Sequence, residues 1–333
     1  MAKSTAFQTS SNSSVVIGTE VTVGTACLAA GTTLEVPVTE YSFSEINKHS
    51  LGVAPFRSGL GGMTQSDLMV KQQKHDRMHE ISLTFHCSAQ MIDRICLALF
   101  GDGSTPNVLL GSMPTSVQSH VKYGVANITP VTLWFENAAH AGLGTDLFFT
   151  SCMCTSFTMT GDVASNGGVV MGTATFVTGF AAAQQALTFT GGTHTLLSAQ
   201  TAIFNMHDMT TTQTLDSEDL ILYSFEINIS RSVSRIGFDQ GNAFRPHGYA
   251  VGGYEVTGSL TCQRDAEIVD AIDKTDGAEL ELDTGVFHIS APDCMIDETS
   301  ISFDEDGWKQ VVPFRCVYSG ATSSTVISIA TAA

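Results

Sequence analysis

Cations are scarce in this chain. Its 333 residues include 15 Lys and Arg against 33 Asp and Glu, which gives a formal net charge of −18. Only 14% of the residues are charged, so the imbalance reflects missing cations and not a disordered acidic tail. Residues 1–200 carry 12 acids and 8 bases, a net of −4, and residues 201–333 carry 21 and 7, a net of −14. A protein that grips phosphates has the opposite sign, so the composition excludes that class.

Long apolar runs are also missing. The first ten residues hold one lysine and no apolar core, so we expect no secretory signal and synthesis in a cytosol. The longest weakly polar run, Val169–Ala183, is interrupted by Gly and Thr and is shorter than a bilayer requires. We therefore expect no membrane segment. The length allows one large or two ordinary domains.

Motifs for catalysis and metal binding are incomplete. His75 and His79 are four residues apart but lack the Glu of the zinc-protease motif. Cys152 and Cys154 lack a second ligand pair, so buried packing is the better interpretation. Asp304–Asp306 lacks the alternating oxygen ligands of a calcium loop and is better explained as a hairpin turn. We expect no catalytic residue, no metal and no cofactor.

All eight cysteines lie mostly within apolar runs, which is typical of small buried thiols. Without an export signal, we interpret them as reduced and structural. They are Cys27, Cys87, Cys96, Cys152, Cys154, Cys262, Cys294 and Cys316.

Runs of Thr, Val, Ile and Ser alternate with period two and are broken by turn residues about every ten positions. In Phe225–Ser230, for example, Phe225, Ile227 and Ile229 would face a core and the residues between them would face water. This pattern predicts a mainly β protein. Further predicted strands are 255–262, 81–87, 131–136, 148–154, 156–160, 169–178, 279–283, 286–290, 300–303 and 311–318.

Two segments have helical spacing instead. Gln90–Phe100 places its apolar residues on one stripe and ends before Gly101. Asp265–Lys274 has an acidic first turn and a lysine in its last turn. Each predicted helix directly follows a predicted strand.

The two strand and helix pairs resemble each other. His79–Cys87 aligns with Tyr254–Cys262 at 262 − 87 = 175 residues, and the helices align at 177. Two further matches keep the same order: Tyr41–Asn47 with Tyr223–Asn228 at an offset of 181 to 182, and Thr155–Met159 with Thr299–Phe303 at 144. The smaller last offset indicates an insertion of about thirty residues in the first copy.

The matches predict two related antiparallel β-sandwich or barrel units, each with one flanking α-helix. The predicted boundaries are an N-terminal arm with strands at 1–40, unit 1 at 41–180 with an insertion at about 104–132, a crossover linker at 181–220, unit 2 at 221–320 and a C-terminal tail at 321–333.

Several segments carry a resemblance to a known family: Phe225–Gly237, the loop through Arg245–Gly248, Gly253–Cys262 and the closing strand Val312–Tyr318. In the first half, Ser151–Thr160 and the glycine pair at 167–168 look equivalent. In these segments the chain resembles the tail tube, or major tail, proteins of long-tailed bacteriophages, in a duplicated two-unit form. The resemblance covers about 35–320 and consists of strands, turns and their order.

The resemblance implies a structural virion protein and no enzyme. Subunits of that family form rings whose inner sheets line a channel, and the rings stack into the tube through which the genome leaves the head. Two units per chain imply a trimeric ring with pseudo-sixfold symmetry, with a hexamer as the alternative. The expected partners are further copies and other tail proteins, with assembly in the host cytoplasm and a final location in the virion tail.

A channel for DNA must not hold its cargo, because each cation facing a phosphate acts as a brake. Carboxylates and hydroxyls on the polar faces of the strands are therefore candidates to face the lumen, while an ordinary wet outer face is the alternative. The candidates are Glu80, Ser82, Thr84, Glu226, Asn228, Ser230, Glu255, Thr257, Ser259 and Thr261.

Four arginines stand out in the acidic second half, and we predict that they pair with carboxylates of an adjacent subunit or ring. Local turn solubility is the alternative. These inter-subunit candidates are Arg231, Arg235, Arg245 and Arg264.

Two other functions fit parts of the sequence. A duplicated β-domain binding module, such as an adhesin or decoration protein, also suits an acidic chain rich in Ser and Thr. A β-rich hydrolase would need a concave site of convergent polar groups that no motif predicts.

Overall fold

The computed structural model describes residues 13–20, 23–27, 33–52, 71–100, 120–122, 130–137, 146–180, 183–184, 196, 203–209, 212–239, 242–273, 277–284, 287–305, 307–317 and 326–331. No helix within these ranges is long and apolar enough to cross a bilayer.

Within the described ranges the fold is mainly β, as predicted, with eighteen strands and two helices. The strands of the first half are β1 (Ser13–Thr19), β2 (Thr33–Val36), β3 (Val38–Gly52), β4 (Lys71–His86), β5 (His120–Lys122), β6 (Val131–Asn137), β7 (Leu147–Asp162), β8 (Met171–Thr178) and β9 (Ala183–Gln184). Those of the second half are β10 (Thr212–Leu215), β11 (Glu218–Asp219), β12 (Leu222–Asp239), β13 (Asn242–Gln263), β14 (Ala278–Asp283), β15 (Phe287–Ile296), β16 (Ser300–Asp304), β17 (Gly307–Cys316) and β18 (Ser328–Thr331). The helices are α1 (Ala89–Phe100) and α2 (Ala266–Ile272).

Eight strands form one continuous antiparallel sheet, which we call the long sheet. Their order is β3-β4-β8-β7-β12-β13-β17-β16. The first four strands belong to the first half of the chain and the last four to the second half. Each half has the same order: the two strands of a long hairpin, then the last strand of the half, then the strand before it.

A second set of pairings also occurs once in each half. In the first half the order is β2-β1-β6-β7-β9, and in the second it is β11-β10-β14-β15-β18. The strands β7 and β15 each take part in both sets of pairings, since β15 also pairs with β17. The pairing order of the first half is therefore repeated in the second.

Each helix begins directly after the second hairpin strand. The hydroxyl of Ser88 accepts a hydrogen bond from the backbone of Met91 at 3.3 Å, and the carboxylate of Asp265 accepts one from Ile268 at 2.9 Å. Such N-caps satisfy backbone donors that the first helical turn leaves unpaired. The apolar stripe predicted for the first helix is buried, so both helices form where the sequence predicted them.

One buried apolar cluster contains residues from both halves, from α1 and α2 and from both sets of strands. The alternation predicted for β12 is confirmed, because Phe225, Ile227 and Ile229 are at most 2% exposed while Glu226 is exposed. All eight cysteines are buried, as predicted, and free. Burial raises the pKa of Cys154 to about 12, so this thiol stays protonated and packs as an apolar group.

The change of direction in β7 is held by a buried carboxylate. Ser151 has a φ of 50°, a left-handed value that is unfavourable for a residue other than glycine. The Oε1 atom of Glu20 accepts hydrogen bonds from the Ser151 backbone and the Thr132 hydroxyl, both at 2.6 Å, and Oε2 accepts one from the Ser151 hydroxyl at 2.8 Å. Burial raises the pKa of Glu20, and these bonds oppose the rise.

Some predicted boundaries differ from the structure. The interval 181–220 contains β9, β10 and β11 rather than a linker alone, and the tail after residue 320 contains β18. The hairpins were expected to have long loops, yet β3 pairs with β4 from Val38 to Gly52 and β12 pairs with β13 as far as Asp239. Most of the proposed insertion at about 104–132 lies outside the described residues.

Candidate assembly surface

One face of the long sheet is polar over most of its width. A row of directly paired residues crosses seven strands on this face, from Glu40 on β3 to Arg315 on β17, through Thr84, Thr173, Thr158, Asn228 and Thr257. The next row contains Ser42, Ser82, Thr175, Ser156, Ser230 and Glu255. The charged residues in these two rows are Glu40, Glu255 and Arg315.

The ten lumen candidates lie together on this polar face. They alternate with buried residues along β4, β12 and β13, and each of the ten is exposed or partly exposed. Hydroxyl contacts connect neighbouring strands on the same face: Thr84 and Thr173 are 3.2 Å apart, and the Thr158 hydroxyl donates to Asn228 at 3.0 Å. The structure thus joins candidates from both halves into one wet surface.

The two ends of the long sheet are open among the described residues. There, β3 pairs with β4 alone and β16 pairs with β17 alone. Both edges also expose large apolar side chains: Phe43 on β3 is 48% exposed, and Ile301 and Phe303 on β16 are 50% and 68% exposed. Unpaired strands with apolar side chains are templates for pairing with another chain.

The centre of the long sheet contains a closed version of the same contact. There β7 of the first half pairs with β12 of the second over Ser156–Asp162 and Ser224–Ser230. We call this contact the internal seam. Its pair Met159 and Ile227 is fully buried.

The helix caps and bulges set the correspondence between the halves. The two N-caps are 265 − 88 = 177 residues apart, and bulges at Val38/Glu40 and Leu222/Ser224 are 222 − 38 = 184 apart. At an offset of 177, Thr84 corresponds to Thr261; their partners Thr173 and Val311 differ by 138. The pairs Thr160–Met171 and Ser302–Lys309 then give 302 − 160 = 142 for β7 and β16.

These values differ from the sequence offsets of 175 for the β4 strand, 181 to 182 and 144. The reason is that strands rich in Ser and Thr repeat every two residues, so a match shifted by two positions keeps the same side chains on the same face. The pairing register removes this ambiguity.

Arg231 is not available as an inter-subunit contact. It is 6% exposed, and its guanidinium donates to the carbonyls of Cys154 and Ala98, both at 2.9 Å, and to the Tyr254 hydroxyl at 3.1 Å. That hydroxyl donates in turn to the carbonyl of Leu99 at 2.7 Å. A cation at the end of α1 is favourable because helix carbonyls there lack partners. We therefore remove Arg231 from the interface candidates.

The other three arginines are placed differently. Arg264 donates to the side chain of Gln310 at 2.9 Å and is partly exposed beside α2. Arg235 lies in β12, where its aliphatic stem is next to Gly179. The backbone of Arg245 lies in β13, and its side chain is outside the described residues. For these three the inter-subunit role stays a prediction.

No group of three metal-ligating side chains occurs among the described residues. His79 of the sequence motif is buried with its ring 5.2 Å from that of Phe149, and the side chain of His75 lies outside the described residues. Asp304–Asp306 belongs to the hairpin between β16 and β17, as predicted, with Gly307 at a φ of 108°.

The sequence did not reveal which strands are edges. Ser300–Phe303 alternates like an interior strand, so its apolar residues appeared to be ordinary core positions. Only the pairing register separates an edge strand with exposed apolar residues from a central strand that buries them.

Comparison with known proteins gives no match, either to models of protein families or to curated sequences.

Proposed function

We propose that this protein is a structural subunit that assembles into closed rings, which stack into a tube of the kind found in long phage tails. The observation that carries the proposal is the internal seam, which lies between two repeats of one strand order whose outer edges are both open among the described residues. Strands equivalent to β7 and β12, namely β16 and β3, form those outer edges. A further copy can therefore continue the sheet through the same contact.

The offsets predict the register of this seam between copies. In the internal seam Met159 pairs with Ile227 and Gly161 pairs with Phe225. Adding 142 on one side and subtracting 184 on the other pairs Ile301 of one copy with Phe43 of the next, and Phe303 with Tyr41. These are apolar residues, three of them among the exposed large side chains of the edges. The seam between copies would bury them as the internal seam buries Met159 and Ile227.

A ring of three copies has the dimensions of a DNA channel. Three long sheets would give about 24 strands, and a spacing of about 4.8 Å gives a circumference of about 115 Å and a diameter of about 37 Å between backbones. Such a closed sheet has no edges left to aggregate. Each chain would contribute two units to a pseudo-sixfold ring, and the hexamer of whole chains is the larger alternative.

The polar face of the long sheet would line the channel in this proposal. Its central rows are hydroxyls and carboxylates, with Arg315 on β17 near one edge. Such a surface gains little from counterion release when DNA approaches, so it does not hold the duplex. The opposite face carries the buried apolar cluster and is not free to line a channel.

Electron microscopy of the purified full chain tests the proposal. We expect rings with an open axial channel and threefold or pseudo-sixfold symmetry, and stacks of rings at higher concentration. A protein that stays strictly monomeric at assembly-promoting concentrations contradicts it. Rings that close without an axial channel would favour a binding module instead.

A further inference from the structure

The hairpin of β16 and β17 and the start of α2 border an open groove of about 550 Å³. We call this the unit 2 groove. It is lined by Arg264, Asp265, Ala266, Val269, Ile301 and Trp308. Trp308 is 57% exposed, and its ring lies 4.9 Å from that of Phe303. A tryptophan and a phenylalanine exposed side by side are typical of an interaction surface.

The equivalent place in the first half is covered. At the established offsets, Trp308 corresponds to Val170, Ile301 to Met159 and Asp265 to Ser88. Val170, Met159 and Ser88 are each at most 1% exposed. The difference between the halves therefore lies in what covers the groove.

The cover in the first half is the segment Ile203–Met206, which leads into β10. The backbone of Phe204 donates to the carbonyl of Cys87 at 2.9 Å and accepts from Val170 at 3.0 Å. Ile203 forms a β-bridge with Ser88. Phe204 and Met206 are 4% and 5% exposed, so this segment seals the first groove with an aromatic and a thioether side chain.

The corresponding segment for the unit 2 groove precedes β1, because β1 and β10 hold the same place in the repeated pairing order. The sequence before β1 contains Thr5-Ala6-Phe7-Gln8, and the covering segment contains Thr201-Ala202-Ile203-Phe204-Asn205. Phe7 precedes the start of β1 by 13 − 7 = 6 residues, and Phe204 precedes the start of β10 by 212 − 204 = 8. Both segments thus place a phenylalanine at a similar distance before an equivalent strand.

We propose that the N-terminal segment of the next copy in the ring, with Phe7 as its anchor, binds in the unit 2 groove. In the first half the cover comes from the segment that enters the following unit, and for the second half the following unit is the first unit of the next copy. The sequence also fits in charge, since Lys3 is the only charged side chain among residues 1–12 and the adjacent hairpin carries Asp304, Glu305 and Asp306. This inference rests on the proposed ring.

Fluorescence quenching of Trp308 provides the first test. The chain has two tryptophans, and Trp134 is fully buried, so acrylamide reports mainly on Trp308. In wild-type rings we expect the quenching constant to fall severalfold relative to the monomer. In rings of Phe7→Ala it should keep the monomer value, whereas the matched control Gln8→Ala should behave as wild type. Equal quenching in wild-type and Phe7→Ala rings would overturn the proposal.

A photocrosslinking residue at position 7 identifies the occupant. The expected product joins two chains, with the crosslinked peptide in the β16–β17 hairpin. A crosslink within one chain would mean that the segment covers its own groove, and no crosslink to this hairpin would mean that something else covers it. Either result overturns the proposal while intact rings leave the proposed function standing. A wild-type protein that forms no rings overturns both.

Discussion

The predicted seam between copies makes a specific demand on two residues from opposite edges. Phe43 and Ile301 should pair across the seam, and each is about half exposed in the isolated chain. The exposed half of a phenylalanine side chain is about 100 Å², so its burial contributes about 2.5 kcal/mol to each seam at about 25 cal/mol per Å². Loss of this burial weakens the seam about 60-fold. A carboxylate at the same position adds the cost of desolvating a charge.

Phe43→Glu and Ile301→Glu should therefore each leave the chain monomeric at concentrations where the wild type forms rings. The informative experiment is their mixture, measured by light scattering after size exclusion. Phe43→Glu keeps an intact β16 edge and Ile301→Glu keeps an intact β3 edge, so one seam can form between them. We expect a heterodimer that does not grow further, because its two remaining edges are both damaged.

Val163→Glu is the matched control, since Val163 is also an exposed apolar residue, at 39%, but lies in the turn after β7 and on neither edge. It should assemble as the wild type does. Phe43 contacts the rings of Phe135 and Phe149 at 5.5 and 5.7 Å, so urea denaturation must show that the Phe43→Glu monomer remains folded. Folded variants that form normal rings, or a mixture without heterodimer, would refute the seam.

Three further predictions concern the stability of the chain itself. Arg231→Ala should cost about 3–5 kcal/mol in urea denaturation because buried carbonyls lose a charged donor; a loss below about 1 kcal/mol contradicts the role assigned to it. Gly258→Ala should cost about 1–3 kcal/mol because its new Cβ would lie 2.5 Å from the Glu226 carbonyl oxygen, whereas Gly253→Ala in the same strand meets nothing within 4 Å and should be nearly neutral. Since burial raises the pKa of Glu20 above 4.5, its contribution is fully present below that value and decreases as the pH rises through the folded-state pKa. Glu20→Gln should remove this decrease from thermal unfolding profiles, and an unchanged profile would exclude Glu20 as its source.

Much of the fold could be predicted from local pattern. The alternation of Phe225, Ile227 and Ile229 identified a half-buried strand, because side chains on a strand point alternately to opposite faces. Asp265 indicated the start of α2 because a carboxylate there can cap the helix. Both signals depend only on residues near each other in sequence.

The assembly surface could not be predicted in the same way. Whether Phe43 and Ile301 are buried depends on how many strands lie beyond them, which is a property of the whole sheet. Arg231 was misassigned for a similar reason, since its partners Ala98 and Cys154 are far away in sequence. Charge alone suggested a surface position, while the carbonyls at the end of α1 favour the interior.

The internal seam also has a kinetic consequence for the proposed ring. Two units in one chain make every second seam intramolecular, so its formation does not depend on protein concentration. A ring with six seams would then need three chains to meet, where separate units would need six. Ring formation should consequently follow a lower order in protein concentration, and it should persist at dilutions where separated units would remain apart.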